Sequence, residues 1–137
     1  MLLSCDNAHA VHPNHTELTD SNNNTYMNAG VVVKSHAGQK YCSDAISIGL
    51  LKQYANSADV PLQYFSNRSD KLGGSTLGNL AMAQVSMNGV DIGLPQLAMH
   101  SSYETAGVKD VDYMIDLIKE FYSHHIKQTG AGNYTID

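Results

Sequence analysis

The chain has 137 residues, 42% of them hydrophobic and 15% charged, which is the composition of a globular domain with a modest core. Its net charge of -5, with only eight Lys plus Arg spread thinly along the sequence, excludes the clustered basic surface that nucleic acid requires. No apolar run approaches the roughly 18 residues of a membrane span, so no membrane partner is expected; Cys5 and Cys42 stand outside any C-x-x-C pattern, which argues for reduced thiols and a cytoplasmic location.

The first expected element is a short apolar strand over Met1–Ser4, with no basic flank or run long enough for a signal peptide. It delivers the candidate chemistry: Asp6-Asn7-Ala8-His9-Ala10-Val11-His12-Pro13-Asn14 sets a carboxylate and two imidazoles three residues apart. Carboxylate oxygen and neutral imidazole nitrogen are the usual ligands of zinc and related ions, and α/β enzymes display their chemistry at strand ends. A solvated loop has the same spacing. From His15 to Ala29 the polar run reads as a loop. Val31-Val32-Val33 reads as a strand ending on Lys34. There the ammonium is held where it can meet an acidic group, although a surface lysine looks the same in sequence. Ser43 or Asp44 caps a helix running to about Asn56, with Ala45, Ile46, Ile48 and Leu50 inward, and a strand follows from Pro61 to Phe65.

Gly73-Gly74-Ser75-Thr76 opens a helix on which Leu77, Leu80, Ala81 and Val85 recur at helical spacing. A nucleotide-binding loop would need a Lys before its Ser or Thr, and none is present. Val90–Leu94 is a strand, broken by Pro95 ahead of His100. Ser101 and Glu104 follow, placed to orient the His100 ring or simply to open a helix. In the last helix Val111, Met114, Ile115, Ile118, Phe121 and Tyr122 form an apolar stripe, with Asp110 and Asp112 at its positive end and His124, His125 and Lys127 at its negative end. Gly130-Ala131-Gly132 suggests fraying, so the chain divides into a domain over 1–128 and a flexible tail over 129–137. Strands alternating with helices make the fold class α/β, and the absence of G-x-S-x-G leaves no nucleophile elbow.

Four ordered blocks, SCDNAHAVHPNH, GVVVKSHAGQKY, VPLQYFSNRSDKLGGSTLG and VDIGLPQLAMHS, together resemble the aspartyl aminopeptidase family of dinuclear zinc metallopeptidases, in bacterial-type wording, from about Leu3 to about Phe121. The resemblance implies a three-layer α-β-α zinc-peptidase-like catalytic domain with a mixed sheet, of which this chain would be the C-terminal portion. It implies that Asp6 and His100 bind metal and that His9, Lys34 and Tyr41 contact the peptide substrate. His12 would reach the active site of a neighbouring subunit in a large homo-oligomer, dodecameric in the family.

The implied cofactor is zinc, two ions per complete site, with manganese or cobalt accepted by the same ligands. The implied activity is removal of N-terminal acidic residues by metal-activated water. The family's bridging aspartate and its Glu-Glu pair have no counterpart in these residues. The chain is therefore expected to be an inactive fragment of such an enzyme, the alternative being a non-catalytic metal-binding or subunit-interaction remnant.

Overall fold

Residues 1–137 are described by a computed structural model. In chain order it has β1 (Leu2–Cys5), β2 (Ala8–His9), a single 3-10 turn (Thr16–Leu18), β3 (Val31–Ser35), α1 (Ala45–Ser57), β4 (Leu62–Ser66) and α2 (Leu77–Gln84). Then come β5 (Gly89–Gly93), β6 (Pro95–Leu97), β7 (Thr105–Ala106), α3 (Val108–Ser123), β8 (Ile126–Gly130) and β9 (Asn133–Ile136). The central sheet has the order β1-β5-β3-β4. Its outer pairs β1–β5 and β3–β4 are parallel and its middle pair β3–β5 is antiparallel. This mixed sheet with helices on both sides is the α/β architecture expected from the alternation of elements.

Strand residues alternate between faces, and here the two faces have different tasks. Val31, Val33, Val90 and Ile92 pack with Leu51, Tyr54, Ala55 and Leu117 under α1 and α3. Each valine, leucine or isoleucine among them contributes roughly 1.5–3 kcal/mol when fully buried. On the opposite face Val32 joins Ala8, Tyr41 and Phe65 in a smaller cluster. Lys34 and Asp91, two residues along from Val32 and one from Ile92, fall on that second face, so the strand that builds the core also aims the polar groups away from it.

α2 lies on the second face and meets it through its smallest residue. A side chain at Gly78 would run into Ser4 and the Cys42 sulfur, and the Gly78 N–H donates to Ser4 Oγ at 3.1 Å. The leucines expected to face inward are outside: Leu77 is 78% exposed and Leu80 65%. The close approach at Gly78 fixes the rotation of the helix, and helical spacing alone does not reveal it. α1 begins where expected, Asp44 accepting the Ser47 N–H at 2.7 Å, but its buried face is Ser47, Leu50, Leu51, Tyr54 and Ala55. Ala45 and Ile46 face solvent instead; with apolar residues around most of this helix, contact with α3 sets the phase.

α3 is rotated in the same manner. Asp110 and Leu117 are its buried residues, Tyr113, Met114 and Phe121 pack on the core, and Val111, Ile115 and Tyr122 are exposed. The Asp110 carboxylate does not stand free at the helix start. It accepts the backbone N–H of Asn28 at 2.6 Å and of Gly30 at 2.9 Å, tying the long loop to the helix. Residues 129–137, expected as a flexible tail, pair as part of the β8–β9 hairpin, whose Ile126 and Ile136 pack against the main core. Gly132, at φ 73°, makes the turn of this hairpin.

Candidate functional site

At the end of β1 the chain leaves the central sheet and enters a second, three-stranded sheet of order β2-β6-β7. The path out of β5 does the same through Leu94. Asn7 locks the two departures together: its Nδ2 donates to Gln96 Oε1 at 2.6 Å and its Oδ1 accepts the Leu94 N–H at 3.1 Å. The chains approach so closely here that a side chain at Gly93 would overlap the Asp6 carbonyl, so glycine is required. The next turn is fixed by fully buried Thr25, whose hydroxyl donates to the His9 carbonyl at 2.6 Å.

Asp6, His9, Lys34, Tyr41 and His100 all line one small pocket of about 120 Å³, together with Gly74, Ser75 and Thr76. Four separate stretches of sequence are thus brought to one place. Asp6, His9 and His100 are exposed at its mouth, whereas Lys34 and Tyr41 form its floor. His100 sits in the left-handed region at φ 64°, as does Ala98 at φ 55°, a conformation that costs a non-glycine residue about 1–3 kcal/mol and clusters at sites. Thr76 Oγ1 is buried in the pocket wall without a hydrogen-bond partner.

Lys34 is 4% exposed, and it is more than a charge held out to a ligand. Its Nζ donates to the carbonyls of Asp6 (3.3 Å) and Asn7 (3.1 Å), lies 3.6 Å from Asp6 Oδ2 and rests 4.7 Å from the centre of the Tyr41 ring. It therefore holds the Asp6–Asn7 backbone in place as well as lining the pocket. Burial pulls its pKa below the usual lysine value, opposed by Asp6 and Asp91. His9 is likewise pulled below its ordinary value, first by burial and then by Lys34 and His100, so its ring is neutral at pH 7. Burial raises the Tyr41 phenol, with Asp91 and Asp6 adding to the effect; the hydroxyl donates to Asn67 Oδ1 at 2.8 Å.

The remaining sequence expectations fall elsewhere. His12 lies outside this pocket, its ring 5.2 Å from that of His15 and its Nδ1 accepting the Asn14 N–H. Glu104 does not orient the His100 ring; its carboxylate accepts the His100 backbone N–H at 2.6 Å. Ser101 turns to accept the Tyr103 N–H at 3.1 Å. Both therefore hold the turn that places His100. His124 and His125 are remote, at the hairpin.

Asp91 and Asn67 were missed by sequence reasoning. Asp91 is fully buried, accepts the Cys42 N–H at 2.6 Å through Oδ2 and leaves Oδ1 unpartnered. A lone carboxylate inside an otherwise apolar strand was the available signal, because such a group is costly to bury without purpose.

Asp6 and His100 offer an oxygen and a nitrogen donor at one pocket, a donor set that suits zinc. No group of three His, Cys, Asp or Glu in the chain is arranged to hold an ion by itself. The donors thus fit as part of a coordination set, the remainder of which would come from outside these residues. No helix is long and apolar enough to cross a membrane.

Comparison with known proteins gives a consistent result. Residues 1–122 match the family described as aminopeptidase I zinc metalloprotease (M18). The probable M18 family aminopeptidase 2 of Clostridium novyi (strain NT) is 46% identical over 122 residues, which is 89% of this chain and 28% of that protein. A cryo-EM structure of an Ape4 and Nbr1 complex superposes at TM-score 0.87 and 41% identity over 88% of this chain and 23% of that one. The S. cerevisiae mApe1 dodecamer does so at 0.77 and 26%, over 89% and 26% of the respective chains. The chain thus spans under a third of the length of the curated relatives it matches. Within it, the hairpin-bearing end at 123–137 lies beyond the match.

Proposed function

The chain belongs to the aminopeptidase I zinc metalloprotease (M18) family, and from that premise we propose that it forms part of the catalytic domain of a zinc aminopeptidase that removes N-terminal residues, preferentially Asp and Glu. One observation carries the assignment of residues: Asp6, His9, Lys34, Tyr41 and His100, distant in sequence, share a single pocket. Asp6 and His100 are the ligands this chain would contribute. Zinc held there supplies polarisation of the scissile carbonyl and a water acidic enough to attack near neutral pH. Two ions per complete site is the reading we adopt, and the general base and bridging ligand would come from outside these residues.

The chain's own groups bind and orient. Lys34 draws the Asp6–Asn7 backbone to the floor of the pocket and so fixes the direction of the Asp6 carboxylate. Lining the pocket, its ammonium is also the attractive partner for an acidic substrate side chain. Neutral His9 can accept or donate a hydrogen bond at the mouth without repelling the substrate ammonium. Tyr41, anchored through Asn67, walls the pocket. His12, which does not line this pocket, suits a role in a neighbouring subunit of a homo-oligomer. The two free thiols fit a reducing, cytoplasmic setting.

The test is hydrolysis of Asp-, Glu- and Ala-terminated peptides by this sequence extended to the length of the curated relatives. Asp6→Ala and His100→Ala should each lower kcat/KM by about 100-fold or more. Lys34→Ala should depress the acidic substrates more than the neutral one, and equal loss on all three would remove the side-chain-reading role. The chain alone should bind zinc weakly and be inactive. Submicromolar zinc affinity, lost in Asp6→Ala, would instead favour a metal-binding module.

A further inference from the structure

A second pocket, of about 740 Å³, lies beside the candidate site and has a lining of different chemistry. The two share a wall: Tyr41, on the floor of the first, donates to Asn67, which lines the second, and Gly73 of the second adjoins Gly74 of the first. The chain carries eight Lys and Arg against 13 Asp and Glu. Yet this pocket is lined by Lys40, Arg68 and Lys71, by His36 and by four serines, and by no carboxylate. Cations thus outnumber carboxylates in this lining, in a chain of net charge -5.

The hydrogen bonds show which donors remain available. The Arg68 guanidinium is occupied, paired with Asp70 at 2.8 and 2.7 Å and bonded to the Glu17 carbonyl, so it is wall and not ligand. Lys40 uses one N–H on the Gly73 carbonyl at 2.6 Å and keeps two. Lys71 has no side-chain ion pair; its backbone N–H donates to the Arg68 carbonyl at 3.1 Å. His36 Nδ1 accepts the Gly38 N–H at 2.9 Å, which leaves the proton on Nε2 as a further donor. Apart from the Lys40 bond to the Gly73 carbonyl, the two ammonium groups and the imidazole Nε2–H of this pocket make no hydrogen bond within the chain.

We infer that the pocket formed by Lys40, Lys71 and His36 is an anion subsite that takes a carboxylate of the bound peptide, separate from the one Lys34 faces. This rests on the peptidase reading of the neighbouring pocket. The carboxylate has two sources, an acidic side chain downstream of the N-terminal residue or the C-terminus of a short peptide. A substrate whose N-terminal residue occupies the first pocket has to run across the Tyr41–Asn67 wall or away from it. The subsite selects those that cross it.

The experiment is chemical-shift mapping of the isotope-labelled chain with three peptides: one acidic downstream and amidated, one neutral with a free C-terminus, and one neutral and amidated. The first two should shift the amides of Ser35, Asn67 and Gly73, and the third should not; which of the first two binds more tightly identifies the source of the carboxylate. Lys71→Ala, at an exposed position, should weaken the acidic response about fivefold or more, and Lys40→Gln should do the same. Equal shifts from the neutral amidated peptide, or an unchanged response in both variants, would overturn the inference.

Shifts at His9 and His100 without any at Asn67 would leave the peptidase reading standing and remove the subsite. Shifts at Asn67 alone would keep the anion subsite and count against the reading of the first pocket. Silence at both would remove both.

Discussion

Lys34 and Asp91 stand opposite one another across the antiparallel β3–β5 pair, the first 4% exposed and the second fully buried. Opposite charges facing each other on a non-core face bind the middle of the sheet to the floor of the candidate site. The Asp91 charge also favours the protonated form of Lys34 against the effect of burial. Asp91→Asn should therefore lower stability by roughly 1–3 kcal/mol, since it leaves a buried ammonium with less counter-charge. The urea midpoint would report this, and a Lys34→Met, Asp91→Asn double variant should recover part of the loss. A midpoint unmoved by Asp91→Asn would mean that the two charges are not coupled.

Gly93 carries a steric demand of a different kind, because the Asp6 carbonyl occupies the place of its missing side chain. Gly93→Ala should cost about 1–3 kcal/mol and displace Asp6 and Asn7, so that amide shifts at residues 6–9 change while those of α3 do not. A melt and a spectrum matching the unsubstituted chain would refute the close approach.

Asp110 anchors the loop before β3 to α3 through two backbone N–H groups. Asp110→Ala would leave both donors without their acceptor in a buried setting, with an expected loss of about 3 kcal/mol. Hydrogen exchange at Gly30 should quicken by more than exchange at core positions such as Ile92. If both sites quicken equally, Asp110 is supporting the whole fold and not the loop.

Cys42 is the group with the largest alkaline effect. Burial, reinforced by Asp91, pushes its thiol from the ordinary 9.0 up to about 12. A folded-state value raised above the unfolded one contributes stability that is fully present below pH 9 and is lost as pH rises from 9 to about 12. Cys42→Ser, which has no such titration, should flatten that part of the stability–pH curve. At pH 8 the native thiol should react slowly with iodoacetamide, since little thiolate is present; rapid alkylation in the folded chain would contradict the assigned burial.

The short strands of the second sheet and the terminal hairpin were not legible in the amino-acid sequence, whereas the four strands of the central sheet were, because β-branched and apolar runs such as Val31-Val32-Val33 favour extended backbone locally. The same holds for the start of α1, where Asp44 caps its own helix, and for the candidate residues, which lie in short motifs whose chemistry depends on residue type and order. Helix rotation was not legible. Leu77, Leu80 and Val85 have the right spacing but the wrong side, because α2 rests on Ser4 through Gly78, and its partners Ser4 and Cys42 lie outside the helix. That Lys34 is buried and holds the Asp6–Asn7 backbone shows only once Asp6, Asn7 and Tyr41 are seen around it. Asp91, Asn67 and the Lys40–Lys71 pocket acquire meaning only through partners dozens of residues away.

What local sequence determined was therefore the kinds of element and the inventory of donors. Which donors meet, which are buried and which stay free to bind were decided by tertiary packing, because burial and hydrogen-bond partnership are properties of pairs that the chain brings together only on folding.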